Sequence, residues 1–253
     1  MAQKITVHQK EKPIYDIVIE KNNKKLCEEL KKQNCSNRKI AIVTESTVGS
    51  YYAEKVKNLL LSITKTVVVF TFPAGEANKN LSTVQKLYEF LILHHFERQD
   101  LLLALGGGVV GDLTGYTAAT YLRGIDFIQF PTSLLAQVDS SIGGKTGVDF
   151  DCYKNMVGAF YQPKLVYMNL EVLNTLTEKE YFSGMGEIIK HGLIQDEVYY
   201  QWLIRHLDSI KKRELSTLEE MIIKSCQIKR NIVERDPKEK GDRALLNFGH
   251  TLG

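Results

Sequence analysis

The 253-residue sequence predicts an α/β region on a parallel, Rossmann-like sheet, followed by an all-α region. Short apolar runs alternate with amphipathic helical segments up to about residue 170, one run leads straight into a glycine triplet, and strand signals then fade. Strands alternating with helices argue for a parallel sheet covered on both faces.

In order, IYDIVIE reads as a strand and KKLCEELKKQN as a charged helix. Ile40–Thr44 (IAIVT) is a β-branched apolar run bounded by polar residues, the mark of a buried parallel strand. A helix is expected around Tyr51–Leu61, then the strand Val67–Phe72. Ser82 is the expected N-cap of the helix TVQKLYEFLILHH, whose apolar positions recur at helical spacing. Leu101–Leu105 is a continuous apolar strand. After Leu170 the segments TLTEKEYFSGMGEIIKHGLI, DEVYYQWLIRHL and STLEEMIIKSCQIKRNIVERD are all amphipathic helices. A boundary is therefore expected near 169–176, dividing residues 1–170 from 171–253, with close packing because no Gly/Ser- or Pro-rich linker intervenes.

Composition narrows the function. The hydrophobic share is 43% and the charged share 25%, both ordinary for a soluble protein. Net charge is +3, with 33 basic against 30 acidic residues, so no basic footprint for nucleic acid is present. No uninterrupted apolar run approaches the roughly 20 residues of a membrane span. The N-terminus lacks the apolar core of a signal peptide. The four cysteines are scattered without a CxxC and read as cytosolic free thiols.

Four segments carry chemistry. Residues 106–111, GGGVVG, satisfy G-x-G-x-x-G between a strand and a helix, where backbone N–H groups and the helix dipole suit a pyrophosphate. Asp126 lies at the spacing of a ribose-binding acid, but the fingerprint normally opens its domain and this one follows three strand–helix units. A nucleotide phosphate loop is favoured over a standard Rossmann layout. FPAGEANKN (72–80) is a turn at a strand end bearing Glu76 and Lys79. Pro131–Phe160 gathers Asp139, Ser140, Ser141, Lys145, Lys154 and Asn155 among glycine-flanked or polar turns, too polar for core and suited to a phosphate or polyhydroxylated ligand. GMGEIIKHG sets Glu187, Lys190 and His191 on one helical face, so Glu187 either pairs locally with His191 as metal ligands or works with a distant histidine. LNFGHTLG supplies His250.

Taken together, GGGVVGDLTG, TYLRG, PTSLLAQVDSSIGGKTG, the Lys154–Asn155 pair, GMGEIIKHG and RALLNFGHTLG resemble the 3-dehydroquinate synthase family over essentially the whole chain. The resemblance implies a dehydroquinate synthase-like fold and conversion of 3-deoxy-D-arabino-heptulosonate 7-phosphate, a sugar phosphate, to 3-dehydroquinate. It further implies catalytic NAD and one divalent metal, zinc or cobalt, in a homodimer; composition adds the expectation of a cytoplasmic protein that engages neither nucleic acid nor membrane. By this resemblance Glu76, Lys79, Gly107, Gly108, Asp112, Thr132 and Ser133 surround NAD. Glu45 stands where the family usually carries a ribose-binding Asp, and its longer carboxylate can still accept ribose hydroxyls. Asp139, Lys145 and Lys154 serve cofactor and substrate, and Asn155, Lys190, Lys229, Glu239, Arg243 and Asn247 complete the active site. Glu187 and His250 match two of three metal ligands, and Arg123 matches an arginine reaching into the neighbouring subunit's site. The sequence ends at Gly253, before the family's third metal-binding histidine and a phosphate-binding lysine. The expectation for this polypeptide alone is NAD binding with negligible turnover. A metal-dependent polyol or glycerol dehydrogenase, or a cyclase acting on a related sugar phosphate, is the rival reading.

Overall fold

The protein is described by a computed structural model over residues 3–248. Strands β1 (Gln3–Gln9) and β2 (Lys12–Glu20) form an antiparallel ribbon, turning through Lys10 and Glu11, both at positive φ. The sequence reading predicts only the second of these strands. Then come α1 (Leu26–Lys32), β3 (Ile40–Glu45), α2 (Ser46–Leu60), β4 (Val67–Phe72) and α3 (Leu81–Leu93). They are followed by β5 (Leu101–Gly106), α4 (Gly108–Thr120) and β6 (Asp126–Pro131). A hairpin of β7 (Lys145–Phe150) and β8 (Tyr153–Phe160) precedes β9 (Leu165–Asn169). The chain then becomes helical: α5 (Glu178–Gln195), α6 (Glu197–Arg205), α7 (Leu207–Lys211) and α8 (Leu215–Arg235).

Seven strands form one sheet in the order β1-β2-β9-β6-β5-β3-β4, parallel throughout except for β1. The central strands β3 and β5 are buried at almost every position, as two covered faces require. Ala53, Val56 and Leu60 of α2 pack on one face, and Val84, Leu87 and Leu91 of α3 with Val110 and Leu113 of α4 pack on the other. The chain moves outward from β3 to β4, then returns to β5 on the opposite side of β3. This reversal opens a crevice between the carboxyl ends of β3 and β5, where ligands bind in open α/β sheets. Tyr181, Ile188, Tyr199, Met221 and Ile222 of the later helices share one hydrophobic core with the α2 face of the sheet. No helix among the described residues is long and apolar enough to cross a membrane.

Several expectations are corrected. Asn80, not Ser82, caps α3: its backbone is extended and its side-chain oxygen accepts the Thr83 N–H at 3.0 Å. Helix α2 begins at Ser46 rather than Tyr51, because the Glu45 carboxylate accepts the N–H groups of Thr47 and Val48 at 2.6 and 2.7 Å. Residues 131–160 are not all turn: Val138, Ile142 and Val148 enter the core, and 145–160 form the β7–β8 hairpin. Strands β6 and β9 add to the strands that the sequence pattern predicts.

Candidate active site

Helix α4 starts directly on the glycine triplet. Its N-cap is Gly107, which has no side chain to satisfy the first-turn N–H groups, so these are left to a ligand. A Cβ on Gly107 would stand 3.4 Å from Ser133 Oγ, so any larger side chain would fill the floor of the loop. Thr132 is buried and donates its N–H to Gly106 O at 2.9 Å, while Ser133 Oγ accepts the Ala136 N–H at 3.2 Å. Glu45 stands across the crevice at the end of β3, with its carboxylate engaged as the α2 cap. Asp126 lies at the opposite end of β6, paired with Arg38 at 2.8 Å, and so is remote from the loop.

Beside the loop, Lys79 is almost wholly buried among acids. Its ammonium lies 2.7 Å from Glu76, 3.7 Å from Asp112 and 3.8 Å from Asp149, and it donates to Asn155 Oδ1 at 2.8 Å. Burial raises the Asp112 carboxyl to about 7, an effect the Lys79 charge only partly offsets.

From this corner a cleft of about 640 Å³ opens between the hairpin and the start of the helical region. Asp112, Asp139, Lys145 and Asn155 line it from the sheet side, and Lys229, Glu239, Arg243 and Asn247 from the helical side. Asp139, in a π-helical turn (Ala136–Ser140), is ion-paired with Lys229 of α8. Burial is the largest influence on Asp139 and opposes its ionisation, but Lys229, Lys190 and His191 together outweigh it and hold the carboxyl below its ordinary range. Lys145 pairs with Glu239, which also accepts from Asn247 Nδ2 at 3.3 Å. Arg243 is 2% exposed and donates to Pro237 O at 3.0 Å. Its guanidinium packs against Gly143, where φ is 100° and a Cβ would meet Nη2 at 2.5 Å. Any other residue there would both strain the backbone and displace the arginine.

On α5, Glu187 and Lys190 are buried, and Lys190 Nζ bridges Glu187 Oε2 at 2.6 Å and Leu246 O at 2.5 Å. His191 is fully buried and its Nδ1 meets Ser225 Oγ at 2.7 Å. Its Nε2 faces Glu187 Oε1 at 3.2 Å, yet neither atom has a hydrogen-bond partner among the described residues. Burial pushes the Glu187 carboxyl up, but His191 and Lys190 overcome this and leave it below its usual value. A buried carboxylate oxygen whose only near neighbour is a poorly aligned imidazole nitrogen is a fitting ligand for a divalent cation. Among the described residues no group of three His, Cys, Asp or Glu side chains gathers to complete such a site. His250 lies outside the described residues.

Three expected active-site residues do not line the cleft: Lys190, buried behind it on α5, and the exposed Lys154 and Arg123. Lys154 is exposed on β8, one position from Asn155, whose backbone at φ 56° turns its own side chain inward toward Lys79. Arg123 is exposed in the turn after α4, at the opposite end of that helix from the glycine loop. Three contributors escaped sequence reading. Asp149 pairs with Lys79, Tyr15 Oη accepts the Gly143 N–H at 3.1 Å, and Ser225 holds His191. None sits in a recognisable motif, and only the fold brings Tyr15 of β2 to Gly143.

Known proteins match this chain along its length. The family model for the N-terminal part of 3-dehydroquinate synthase matches residues 69–183, and that for its C-terminal part matches 184–253. The 3-dehydroquinate synthase of Streptococcus mutans is 50% identical over 250 residues, covering 99% of this chain and 70% of that protein. That of Acetivibrio thermocellus is 48% identical over 215 residues, covering 85% of this chain and 60% of that protein. Among solved structures, 2-epi-5-epi-valiolone synthase from Streptomyces hygroscopicus, with NAD+ and Zn2+ bound, superposes with a TM-score of 0.85 at 27% identity, over 97% of this chain and 68% of that one. The chain belongs to the 3-dehydroquinate synthase family.

Proposed function

We propose that this chain supplies the nucleotide corner and most of the charged cleft of an enzyme that carries out the NAD- and metal-dependent conversion of 3-deoxy-D-arabino-heptulosonate 7-phosphate to 3-dehydroquinate and phosphate. The observation that carries the reading is the cleft itself. It joins a nucleotide-type glycine loop to a ring of paired Lys, Arg, Asp and Glu side chains, within a chain half identical to synthases of that name.

In this reading the N–H groups after Gly107, with Glu76, Lys79 and Asp112 beside them, would hold NAD. Glu187, with His250, would hold the zinc or cobalt ion. The bound nucleotide and metal supply reversible oxidation of one substrate hydroxyl and Lewis-acid polarisation of its oxygen. The chain's residues do the rest. Lys145, Lys229 and Arg243, each already beside an acid or a carbonyl, exchange part of that pairing for substrate phosphate and carboxylate oxygens. Lys190 supports them from α5, and Lys154, exposed on the hairpin outside the cleft, would have to swing inward to join them. Asp139, kept ionised by Lys229, accepts hydrogen bonds from substrate hydroxyls. Enclosure between hairpin and helices limits the access of water to reactive species.

The division into a nucleotide-binding part (1–170) and a helical metal- and substrate-binding part (171–253) belongs to this proposal. So do a cytoplasmic location and a homodimer in which the exposed Arg123 enters the partner's cleft. Mixing Arg123→Ala subunits with subunits inactivated at Lys229 tests the dimer: activity restored in the mixture supports a shared site, and none restored refutes it. The activity is tested in the full-length protein by following inorganic phosphate with substoichiometric NAD+. Multiple phosphates released per NAD+ are expected. Stoichiometric NADH formed from a polyol, without phosphate, would favour a dehydrogenase instead. Phosphate released from sedoheptulose 7-phosphate, and not from the carboxylated substrate, would favour a sister cyclase.

A further inference from the structure

Asp149 of β7 joins the nucleotide corner to the hairpin, although it does not itself line the cleft. Its N–H donates to Lys79 O at 2.8 Å, and Asn80 and Asp149 pair as an isolated parallel bridge. Its Oδ1 accepts the Asn155 N–H at 2.7 Å and stands 3.8 Å from Lys79 Nζ. Lys79 closes the triangle by donating to Asn155 Oδ1 at 2.8 Å. Asn155 holds φ at 56°, a left-handed backbone that Asn adopts more readily than other side chains. The carboxylate of Asp149 fixes that backbone by taking its N–H.

We propose that Asp149 is a positioning residue that couples nucleotide binding at Glu76–Lys79 to the placement of Asn155 in the substrate cleft. This rests on the nucleotide and sugar-phosphate reading given above. Lys79 is the shared element. Two of its acidic neighbours, Glu76 and Asp112, belong to the nucleotide side, whereas Asp149 and Asn155 belong to the hairpin. Because the ammonium is almost wholly buried, its position is set by a competition among these few groups rather than by water. A nucleotide oxygen that draws on Lys79 removes donor strength from the Asn155 carboxamide. Asp149 meanwhile retains the Asn155 backbone, so the result is a reorientation of one side chain and not a loosened hairpin.

The substitution Asp149→Asn keeps an acceptor for the Asn155 N–H and removes the attraction for Lys79. The substitution Asp149→Ala removes both, and Asp149→Glu restores the charge. The first readout is amide hydrogen exchange at 149–156 with and without NAD+. The second is KM and kcat for the sugar phosphate at saturating NAD+. In the unsubstituted protein NAD+ is expected to change protection at Asn155. In Asp149→Asn that response disappears, KM rises at least about fivefold with a smaller change in kcat, and Asp149→Glu recovers part of the loss. An NAD+ response and KM unchanged in Asp149→Asn would overturn the coupling. So would a loss seen only in Asp149→Ala, which would make the residue a mere turn former. If the unsubstituted protein itself bound no NAD+, the functional reading would fall instead, so the two failures are distinguishable.

Discussion

The nucleotide corner and the charged cleft are built by opposite means. At the glycine loop the binding groups are backbone N–H donors, presented by consecutive residues that run from Gly106 at the end of β5 through Gly107 into the first turn of α4. Little there depends on partners elsewhere in the chain. In the cleft the groups are side chains from distant segments: Asp139 meets Lys229, Lys145 meets Glu239, and Gly143 makes room for Arg243. A backbone site is preorganised by its own strand and helix, whereas a side-chain site holds its charges in place by pairing them until a ligand arrives. The first should tolerate distant substitutions and fail on local bulk. The second should fail whenever one partner is removed.

The largest effect expected is from Lys229→Met, which leaves Asp139 without its cation in a partly closed site. Denaturant unfolding should show a loss on the order of 3 kcal/mol, with phosphate release abolished. Adding Asp139→Asn should recover much of the stability and none of the activity. If the single variant is as stable as the parent, the cleft is not held by pairing and the contrast breaks down.

Gly107→Ala should give the reverse pattern. Its φ of −75° suits alanine and the new Cβ meets Ser133 Oγ only at 3.4 Å, so stability should shift by no more than about 0.5 kcal/mol. Calorimetric titration should nonetheless show NAD+ binding weakened at least about tenfold, because the Cβ occupies the loop floor.

Asp112 sharpens the comparison, since it sits where the two regions touch. Its carboxyl rises from 3.8 when unfolded to about 7 in the fold, so the folded state binds more protons between those values. The contribution of this group to stability is therefore full below about pH 4, declines as pH rises, and is lost above about 7. Subtracting the unfolding profile of Asp112→Asn from that of the parent should isolate this slope. A parent and variant with parallel profiles would place Asp112 in a wetter site than the structure shows.

The smallest effect expected is from Glu45→Ala, which removes the α2 cap and should cost about 1 kcal/mol in thermal unfolding.

Legibility followed the same contrast. Strands β3, β4 and β5 and the long helices α3, α5 and α8 were readable because burial on two faces or on one helical stripe imprints a local period. The short strands β6 and β9 were not, because they exist through pairing with neighbours remote in sequence. The cap of α3 moved to Asn80 because two polar residues competed and only backbone geometry chose between them. Most candidate site residues were reached through family resemblance and not through spacing. Asp149, Tyr15 and Ser225 went unnoticed because an isolated polar residue carries no period and no motif.

By itself, then, the order of residues determined the alternation of strand and helix, the position of the glycine turn and the inventory of charged groups. These are matters of local sterics and local hydrophobic pattern, settled within a dozen residues. The tertiary structure alone decided which lysine meets which acid, that Lys79 is shared between nucleotide corner and hairpin, and that Asn155 turns inward while Lys154 stays exposed. Coulomb and hydrogen-bond energies depend on separations through space, and a linear sequence leaves those separations undefined until the sheet has reversed direction at β3 and β5.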